Sequence, residues 1–436
     1  MNEPIFIARQ DTLEQEILPA HWLSHYKLFG EEGYTFQDKE IWKRLCMSRA
    51  AANDRDMHAE ALEEMLTTFS AEHTGKWMLT VYGMDAAVLE GLATMAAVAG
   101  NGTAMAAVAG NALLMHAITN SETAMRVIAN SQTAMQRVAN SATAMDAISG
   151  SKIARGAVQA SPYYNSYIKE NDMAIAKLAV ALASLESAGY SGMAGVAADS
   201  TAMNAVAASS TAMNAVAASA VARNAISASP YYDAKIKEND MAIAKLVVGF
   251  ANLESARYSG CAGMAADSTA MTAVAASSTA MTAVAASSTA MTAVAASGVA
   301  LQAIAKAYKQ TADMLKFLQA VNASDTLIKS IYNTLTKATT LFAAAQLGAQ
   351  DDVASANSWA TTSAAPNAFL ACACGYYSSG NSVNVTYNGT VIAQNRTGTS
   401  RPGSVTSTNV NAITMAPSTF TENGDGYLAV QKFTAK

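Results

Sequence analysis

Residues that could carry out chemistry are few in this sequence, and they are scattered. His21 and His25 stand four residues apart, a spacing that would place both side chains on one face of a helix. Two such histidines can hold zinc, but the HExxH pattern is absent, no third ligand is close in sequence, and Pro19 disturbs the helical register. We therefore interpret the pair as structural, and we expect no catalytic residue, no metal ion and no cofactor.

Other reactive patterns are equally weak. His58 lies among acidic neighbours, as on a solvated helix face, and the chain contains neither the GxxxxGK[ST] nor the GxSxG pattern. The NGDG sequence at residues 423–426 has too few carboxylates for calcium and predicts a turn. The NGT sequence at 388–390 fits the acceptor pattern for N-glycosylation. None of these patterns defines an active site.

The cysteines do not form a metal-binding cluster. Neither CxxC spacing nor a Cys/His group is present. Two of them stand two residues apart, which on a strand places them on one face, poorly aimed for a mutual disulfide. We predict that the cysteines are small buried apolar side chains: Cys46, Cys261, Cys372 and Cys374.

Composition and charge exclude several classes of protein. Charged residues make up 14% of the chain and the formal net charge is −5, so no surface for nucleic acid is expected. The first ninety residues hold 16 acidic and 8 basic side chains, and the rest is nearly neutral for its length. No secretion signal is visible, and no apolar run approaches the length of about 20 residues that a membrane span needs. The sequence thus predicts a protein that folds in the cytosol of the cell that makes it.

A ten-residue repeat dominates the middle of the sequence. A methionine recurs every ten residues, usually with a β-branched residue three positions later, through arrays of seven, four and five units. Arginine, cysteine or leucine takes the methionine position in four units. The positions are Met95, Met105, Met115, Met125, Met135, Met145 and Arg155; Met193, Met203, Met213 and Arg223; and Cys261, Met271, Met281, Met291 and Leu301.

A longer duplication surrounds the last two arrays. The SPYY sequence at 161–164 returns at 229–232, and the IKENDM sequence at 168–173 returns at 236–241, both after 68 residues. The second copy carries one decapeptide more. Unequal copy number is typical of a spacer whose length can vary, and a catalytic domain would rarely tolerate it.

Each unit predicts a short helix with polar ends. In one unit, Ser121 is a natural N-cap and Asn130 suits a left-handed residue that ends a helix. Strands are disfavoured because the apolar residues do not alternate, and one continuous helix would need about 3.3 residues per turn. The same last position is filled elsewhere by Gly100, Gly110, Asn140 and Gly150. The expected buried face is Ala124, Met125, Ile128 and Ala129.

One ten-residue helix cannot be stable by itself. Burial of a methionine and a β-branched residue offsets only part of the entropy lost on ordering ten residues. Each helix must be covered by its neighbours, in a quasi-one-dimensional stack. We therefore interpret the methionine stripe as core rather than as a binding surface or a set of soft metal ligands.

The segments around the arrays differ in kind. Residues 1–90, with three of the four tryptophans, predict a small helical docking head. Residues 306–350 continue as a helical neck, with an apolar stripe that reaches Phe342. Longer helices are expected to begin at Pro162 and Pro230, each after an SPYY serine, and to end near Glu186 and Glu254.

Strand patterns begin after residue 366. Residues 382–387 and 390–393 alternate around Asn-Gly, the strongest short signal of a β-hairpin. Further strand-like runs are 368–377, 405–415 and 426–433, which suit a β-sandwich on a flexible linker. The expected domains are a head 1–90, array one 91–160, long helix and array two 161–228, long helix and array three 229–305, neck 306–350, linker 351–366 and β-sandwich 367–436.

The sequence thus predicts a mainly α protein: a solenoid-like stack of ten-residue helical repeats, a helical head and a small β-sandwich. Units such as STAMTAVAAS at 278–287, with interspersed SPYY elements, resemble those of tail-fibre, collar-fibre and related virion proteins of tailed bacteriophages. The resemblance covers roughly residues 91–310. It implies a mechanical or adhesive virion part, assembled in the host cytoplasm, without catalytic activity.

Three classes of function follow from these patterns. The leading prediction is a virion appendage protein, homo-oligomeric, whose head docks to other virion proteins and whose β-domain attaches to a host glycan or protein. A bacterial adhesin or injection-system fibre is the alternative, which neighbouring secretion genes would favour. A glycan hydrolase would need two carboxylates around a sugar bond, and after residue 366 only Glu422 and Asp425 exist, in one turn. The candidate partner-binding residues are Trp22, Trp42, Trp77, Tyr376, Tyr377, Asn381 and Asn395.

Overall fold

The computed structural model shows a series of short helices followed by two small antiparallel sheets. The described residues are 92, 94–307, 312–351, 357–358, 367–376, 382–396, 402–423 and 426–436. The predicted head over residues 1–90 lies outside them. The chain divides into two compact units, residues 1–202 and 203–436.

Each described decapeptide forms one helix. In α4 the predicted face is buried, and the same four positions are buried in α2 and α5, so the prediction of the helices and of their buried face is confirmed. The helices are α1 Met95–Gly100, α2 Gly102–Gly110, α3 Ala112–Asn120, α4 Glu122–Ala129, α5 Gln132–Ala139, α6 Ala142–Gly150, α7 Lys152–Gln159, α8 Tyr164–Tyr167, α9 Asp172–Leu182, α10 Met193–Ala198, α11 Ser200–Ala208, α12 Ser210–Ala218, α13 Ala220–Ser227, α14 Asp240–Phe250, α15 Cys261–Ala266, α16 Ser268–Ala276, α17 Ser278–Ala286, α18 Ser288–Ala295, α19 Gly298–Lys306, α20 Ala312–Asn322 and α21 Asp325–Lys337.

A single residue often links one helix to the next. Asn101 is the C-cap of α1 and also the N-cap of α2, where its side chain accepts the N–H groups of Thr103 and Ala104. Its backbone is extended, with φ −96° and ψ 115°, so the chain turns sharply. Ser121 has the same double role between α3 and α4. The helices α16 and α17, joined in this way, meet at 102°.

The decapeptide helices do not end in the left-handed conformation that the sequence suggested, whereas the two long helices α9 and α14 are followed by left-handed residues, Ser184 (φ 62°) and Asn252 (φ 57°). Asn130 has φ −91°, and among the described glycines only Gly389 has a positive φ. A Cβ at Gly100, Gly110 or Gly150 would meet nothing within 4 Å, so neither space nor conformation requires glycine there. After each decapeptide helix, the next residue has an extended or nearly helical backbone. That residue leads directly into the N-cap of the next helix.

In the first unit, helices α1 to α6 each pack against the third helix after them. α1 contacts α4, α2 contacts α5, α3 contacts α6 and α4 contacts α7. N-cap hydroxyls reinforce this packing across 32 residues. Ser131 Oγ donates to Ala99 O at 2.6 Å, and Ser151 Oγ donates to Thr119 O at 2.6 Å. In these contacts, packing and hydrogen bonding recur every three helices, and we call three successive helices a coil.

The first SPYY segment takes one helix position in this packing. Its short helix α8 contacts α5, and α9 contacts α6. The longer helix begins at Asp172 rather than at Pro162, because Asn171 is its N-cap and accepts the N–H of Ala174. It ends at Leu182, before the predicted end.

The second unit repeats the pattern. α14 contacts α17, α15 contacts α18, and α16 contacts α19. Ser297 Oγ donates to Ala265 O at 2.6 Å, again across 32 residues. The second SPYY segment holds a single π-helical turn, Asp233–Lys237, and the long helix α14 begins at Asp240, not at Pro230.

The additional decapeptide of the second copy is not an insertion. Ser297, the N-cap of α19, lies 68 residues after Ser229, which begins the second SPYY segment. In the duplication, α19 therefore occupies the position that corresponds to that SPYY segment. α20 then contacts α17, just as α9 contacts α6. The decapeptide therefore replaces the SPYY element in the coil and does not lengthen the array.

The predicted helical neck is wrong in its last part. α20 and α21 are helical, but residues 342–351 form strand β1, where Phe342 pairs with Ala435. The alanine-rich sequence suits a helix by composition, and pairing with the last strand overrides that preference. The strands are β1 Phe342–Asp351, β2 Asn357–Ser358, β3 Ala368–Tyr376, β4 Ser382–Tyr387, β5 Thr390–Arg396, β6 Ala412–Met415, β7 Ser418–Asn423 and β8 Gly426–Ala435.

The strands form two four-stranded antiparallel sheets, in the orders β1-β8-β3-β6 and β2-β7-β4-β5. The predicted hairpin is confirmed: Asn388 and Gly389 have φ of 49° and 75°, and β4 pairs with β5. The predicted strand 405–415 is a strand only at 412–415. The strands β1, β2 and β7 were not predicted.

The sheets are packed on the helices of the second unit. Asn322 of α20 is 3% exposed; its side chain accepts the N–H of Ile413 at 3.0 Å and donates to Ile413 O at 2.7 Å. Tyr332 Oη donates to Val405 O at 2.9 Å. One apolar core runs from α14 to β8. The expectation of a β-domain that hangs freely from a linker is therefore wrong.

Candidate functional site

Most of the predicted partner-binding residues lie outside the described part of the chain. They are Trp22, Trp42 and Trp77 of the head and Tyr377 and Asn381 near the β-strands. Their predicted role stays a prediction.

Tyr376 and Asn395 are described, and they lie on different sheets. Tyr376 is the last residue of β3, opposite Gly426 of β8. Asn395 is exposed on β5, with φ 52°, and its N–H donates to Asn384 Oδ1 at 2.7 Å. The structure does not bring these two residues together in one sheet.

The described residues contain no group of three His, Cys, Asp or Glu side chains that could hold a metal ion. His21, His25 and His58 are not among them. Of the two carboxylates considered for sugar hydrolysis, Glu422 lies on β7, and Asp425 is not described. No catalytic pair can be built from the groups that are placed.

The three described cysteines are buried free thiols, as predicted. Burial raises the pKa of Cys374 to about 12 and raises the pKa of Cys372 well above its ordinary value. Burial also raises the pKa of Cys261. A thiol held neutral is a poor nucleophile and a poor metal ligand, so these side chains serve as apolar core.

Two lysines are buried in the long helices. In the first copy, Lys177 of α9 is 2% exposed, and its Nζ lies 2.6 Å from Asp146 Oδ1 of α6. The same Nζ donates to Ser187 O at 3.2 Å, and Ser187 Oγ donates to Asp146 Oδ1 at 3.0 Å. The lysine therefore joins its own helix, an earlier helix and the following loop.

The second copy has the same arrangement with a neutral partner. Lys245 of α14 is 1% exposed, and its Nζ lies 2.7 Å from Asn214 Oδ1 of α12. It also donates to Ser255 O at 3.1 Å and Ala256 O at 3.5 Å. Because no carboxylate compensates its desolvation, burial lowers the pKa of Lys245.

The sequence alone contains the signal for these lysines, although the prediction missed it. Each stands inside the apolar sequence of a long helix, at equivalent positions of the duplication. A charged residue within such a helix is rarely buried unless its polar atoms have partners. The side-chain acceptors, Asp146 and Asn214, lie 31 residues earlier in the sequence, so only the packing of the coils identifies them.

A second polar contact recurs in both copies. Asp172 Oδ1 accepts the N–H of Met193 at the start of α10, and Asp240 Oδ1 accepts the N–H of Cys261 at the start of α15, both at 2.9 Å. The N-cap residue in each case is glycine. A Cβ at Gly192 would lie 2.1 Å from Asp172 Oδ2, so the glycine makes room for the aspartate.

The surface of the first unit carries one open groove between α4 and α7. Its volume is about 520 Å³, and Gly156 and Ala157 form part of its lining. Ile153 at its side is 44% exposed, and Arg126 and Lys152 bring positive charge. The charged residues of its lining are Glu122, Arg126 and Lys152, and Ser161 also lines it.

Helix length and similarity to known proteins both bear on the class of protein. Within the described residues no single helix is long and apolar enough to cross a membrane, while three sharply bent helix pairs would qualify by length and composition only. The chain matches no protein-family model, and no curated protein matches it.

Proposed function

We propose that this chain is a structural component of a tailed-bacteriophage appendage, of the tail-fibre or collar-fibre type, with no enzymatic activity. The observation that carries the proposal is the recurring hydrogen bond from a cap serine to a carbonyl 32 residues earlier. It supports an array in which each coil supports the next, as in a spacer. The resemblance of the decapeptides to virion proteins indicates the kind of particle.

The array in this proposal is a solenoid with three short helices per coil. The packing of α1 to α6 and of α14 to α18, each on the third helix after it, supports this architecture within each unit. Such an array is stabilised mainly by contacts between neighbouring coils, so its length can vary without loss of the fold. A repeated and nearly uncharged element of this kind suits a mechanical role.

The C-terminal sheets close the second unit in this proposal. Solenoids need a cap, because the last coil otherwise exposes its apolar face. The two sheets form a β-sandwich whose helix-facing side covers α20 and α21, and the buried bonds of Asn322 and Tyr332 support that role. Asn395, which is exposed on β5, takes part in attachment to a host glycan or protein in this proposal.

Residues 1–90 anchor the chain to other virion proteins, and several copies assemble in the particle. The acidic, tryptophan-bearing composition of this segment supports partner-specific contacts, since aromatic residues are favoured interface anchors. Assembly takes place in the host cytoplasm, and the mature location is the virion.

The test is incorporation into particles. Immunogold labelling of purified particles, from the phage that carries the gene, should detect the full-length chain, and a chain without residues 1–90 should be absent. A full-length Asn395→Ala variant should incorporate normally and should lower binding to host cells. Absence of the full-length chain from particles, with its presence on the bacterial surface, would instead favour an adhesin or injection-system fibre.

A further inference from the structure

The strand β1 lies at the edge of its sheet and is open to solvent. Among the described strands, its one neighbour is β8. Ala343, Ala344 and Ala345 are all exposed, and because successive side chains of a strand point to opposite faces, β1 is covered on neither face there. We propose that this edge joins two copies of the chain, with β1 of one copy paired antiparallel to β1 of the other.

The open edge presents backbone groups that another strand can bond. Leu341 O accepts the N–H of Lys436, the residue after β8, at 2.9 Å. Orientation alternates along an antiparallel strand, so Ala343 and Ala345 direct their backbone groups to β8, and Ala344 directs its N–H and C=O to the open side. The methyl groups of these alanines are too short to shield that side. A row of alternating donors and acceptors is matched by an extended strand, as in β-strand addition.

The other three edges of the two described sheets are protected. β2 is only two residues long, and β6 is buried along its whole length and contacts α20 and α21. β5 shifts its register with β4 twice, and Arg396 at its end pairs with Asp325 of α21 at 3.6 Å. Short length, cover and irregular register all keep an edge from pairing. β1 has one register shift, after Gln346, and residues 342–346 before it are regular.

A second copy of β1 is the partner that the strand itself fits. Residues 342–350 contain no charged side chain, so two copies can lie antiparallel without like charges opposite each other. Alanine side chains let the two backbones approach to the usual strand spacing of about 4.8 Å. A two-fold axis makes the contact self-complementary, and pairing uses up the one open edge of each copy, so it stops at two. Such a contact rests on the proposed assembly of several copies and gives that assembly its surface.

The first test is cross-linking of single cysteines in the full-length chain. About a two-fold axis, one residue of the regular part of β1 meets the same residue of the other copy, and each step along the strand separates the next such pair by about 7 Å more. Ala343→Cys, Ala344→Cys and Ala345→Cys are compared in chains that also carry Cys46→Ser. The three described cysteines are buried and should not contribute.

Under mild oxidation, one of the three positions should cross-link at least about tenfold faster than the exposed control Thr272→Cys, because pairing holds the two thiols at a high effective concentration. The other two positions should be slower than the fastest one. Equal rates at the three positions and at residue 272 would overturn the proposal, since they would indicate random collision.

The second test is association in solution. Sedimentation of the wild-type chain should give a mass that rises with concentration from one chain of 45.1 kDa to two. Ala344→Lys places two ammonium groups near each other at the contact and should raise the concentration for half-association about fivefold or more. Thr272→Lys is the matched control and should associate like the wild type. Both positions are exposed, so circular dichroism should be unchanged.

The outcomes separate this contact from the proposed function. A wild-type chain that remains a single copy at every concentration would overturn the contact. A wild-type oligomer that is unaffected by Ala344→Lys would also overturn it, but would leave the assembly of several copies standing. Absence of the chain from phage particles would count against the proposed function alone, because pairing of purified copies does not depend on a virion.

Discussion

The two copies of the duplicated segment share their backbone contacts and differ in the partner of the buried lysine. Lys177 meets a carboxylate, and Lys245 meets a carboxamide. Both lysines nevertheless bond the carbonyl of the serine ten residues later, Ser187 or Ser255. The common contact indicates that the lysine's structural role is to hold the loop after the long helix. The charge of the partner on the earlier helix differs between the two copies.

The copies also differ in how closely the long helix approaches its neighbour. Gly249 of α14 has Ala181 of α9 at the equivalent position. A Cβ at Gly249 would lie 2.3 Å from Ala217 O, a backbone atom that cannot move alone. The alanine of the first copy is accommodated, at 8% exposure. The second copy is therefore packed more tightly at this point, although the sequences are nearly the same.

The largest expected effect lies where the copies are alike. Met203 and Met271 occupy equivalent positions and are both fully buried. Met271→Asp buries a carboxylate without a partner and should destabilise the second unit by roughly 3–5 kcal/mol. Met203→Asp should have a similar effect. The measurement is chemical denaturation followed by circular dichroism.

The control for this prediction is the neighbouring exposed residue. Thr272→Asp places the same charge in solvent and should change stability by about 0.5 kcal/mol or less. Equal losses for Met271→Asp and Thr272→Asp would show that the methionine stripe is not core.

The next effect is expected where the copies differ. Gly249→Ala forces α14 away from α12 and should cost about 2–3 kcal/mol, by overpacking against the carbonyl of Ala217. The reciprocal change Ala181→Gly relieves no clash and should cost only about 1 kcal/mol, from helix propensity and lost burial. Thermal unfolding of both variants measures the two losses of stability. A small loss for Gly249→Ala would mean that the long helices of the two copies pack equally loosely at this position.

The sequence was informative wherever the determining contacts are local. The cap serines, the buried Met-and-alanine face and the Asn388-Gly389 hairpin follow from residues within ten positions of one another. The packing of one helix on the third helix after it does not follow from local residues. Identical decapeptides do not distinguish one neighbouring helix from another. The bond from Ser131 to Ala99 is visible only in the folded chain.

The errors have the same origin. Residues 342–351 have helical composition, and they form a strand because β8 is available to pair with them. Pro162 is a good first residue of a helix, but the long helix begins at Asp172, where Asn171 caps it. The free β-domain was inferred from a linker-like composition, whereas the buried amide of Asn322 fixes the sheets to α20.

A smaller effect is expected from exchanging the lysine partners. Asp146→Asn gives the first copy the partner of the second, and because Lys245 is accommodated beside an amide, the change should cost about 1 kcal/mol or less. Asp146→Leu should cost more, since Lys177 Nζ and Ser187 Oγ would both lose an acceptor. Urea denaturation of the two variants makes the comparison. Equal destabilisation would show that the charge of Asp146, rather than its oxygen, is the essential feature.

The smallest expected effect depends on pH and concerns Glu238 of the second copy. Its carboxylate accepts the N–H groups of Ser288 and Thr289 at the start of α18, both at 3.0 Å. Partial burial opposes ionisation, but the hydrogen bonds from the two residues outweigh it, and the pKa of Glu238 is lowered from 4.5. A lowered pKa means that the carboxylate stabilises the folded state above about pH 4.5, and that this contribution is lost as the pH falls through the lowered pKa.

The amide NMR signals of Ser288 and Thr289 should therefore titrate with a midpoint below 4.5. In Glu238→Gln these signals should not titrate over that range, and the stability difference from wild type should shrink on acidification. A midpoint above 4.5 in the wild type would show that burial, and not the contact with α18, determines the ionisation of Glu238.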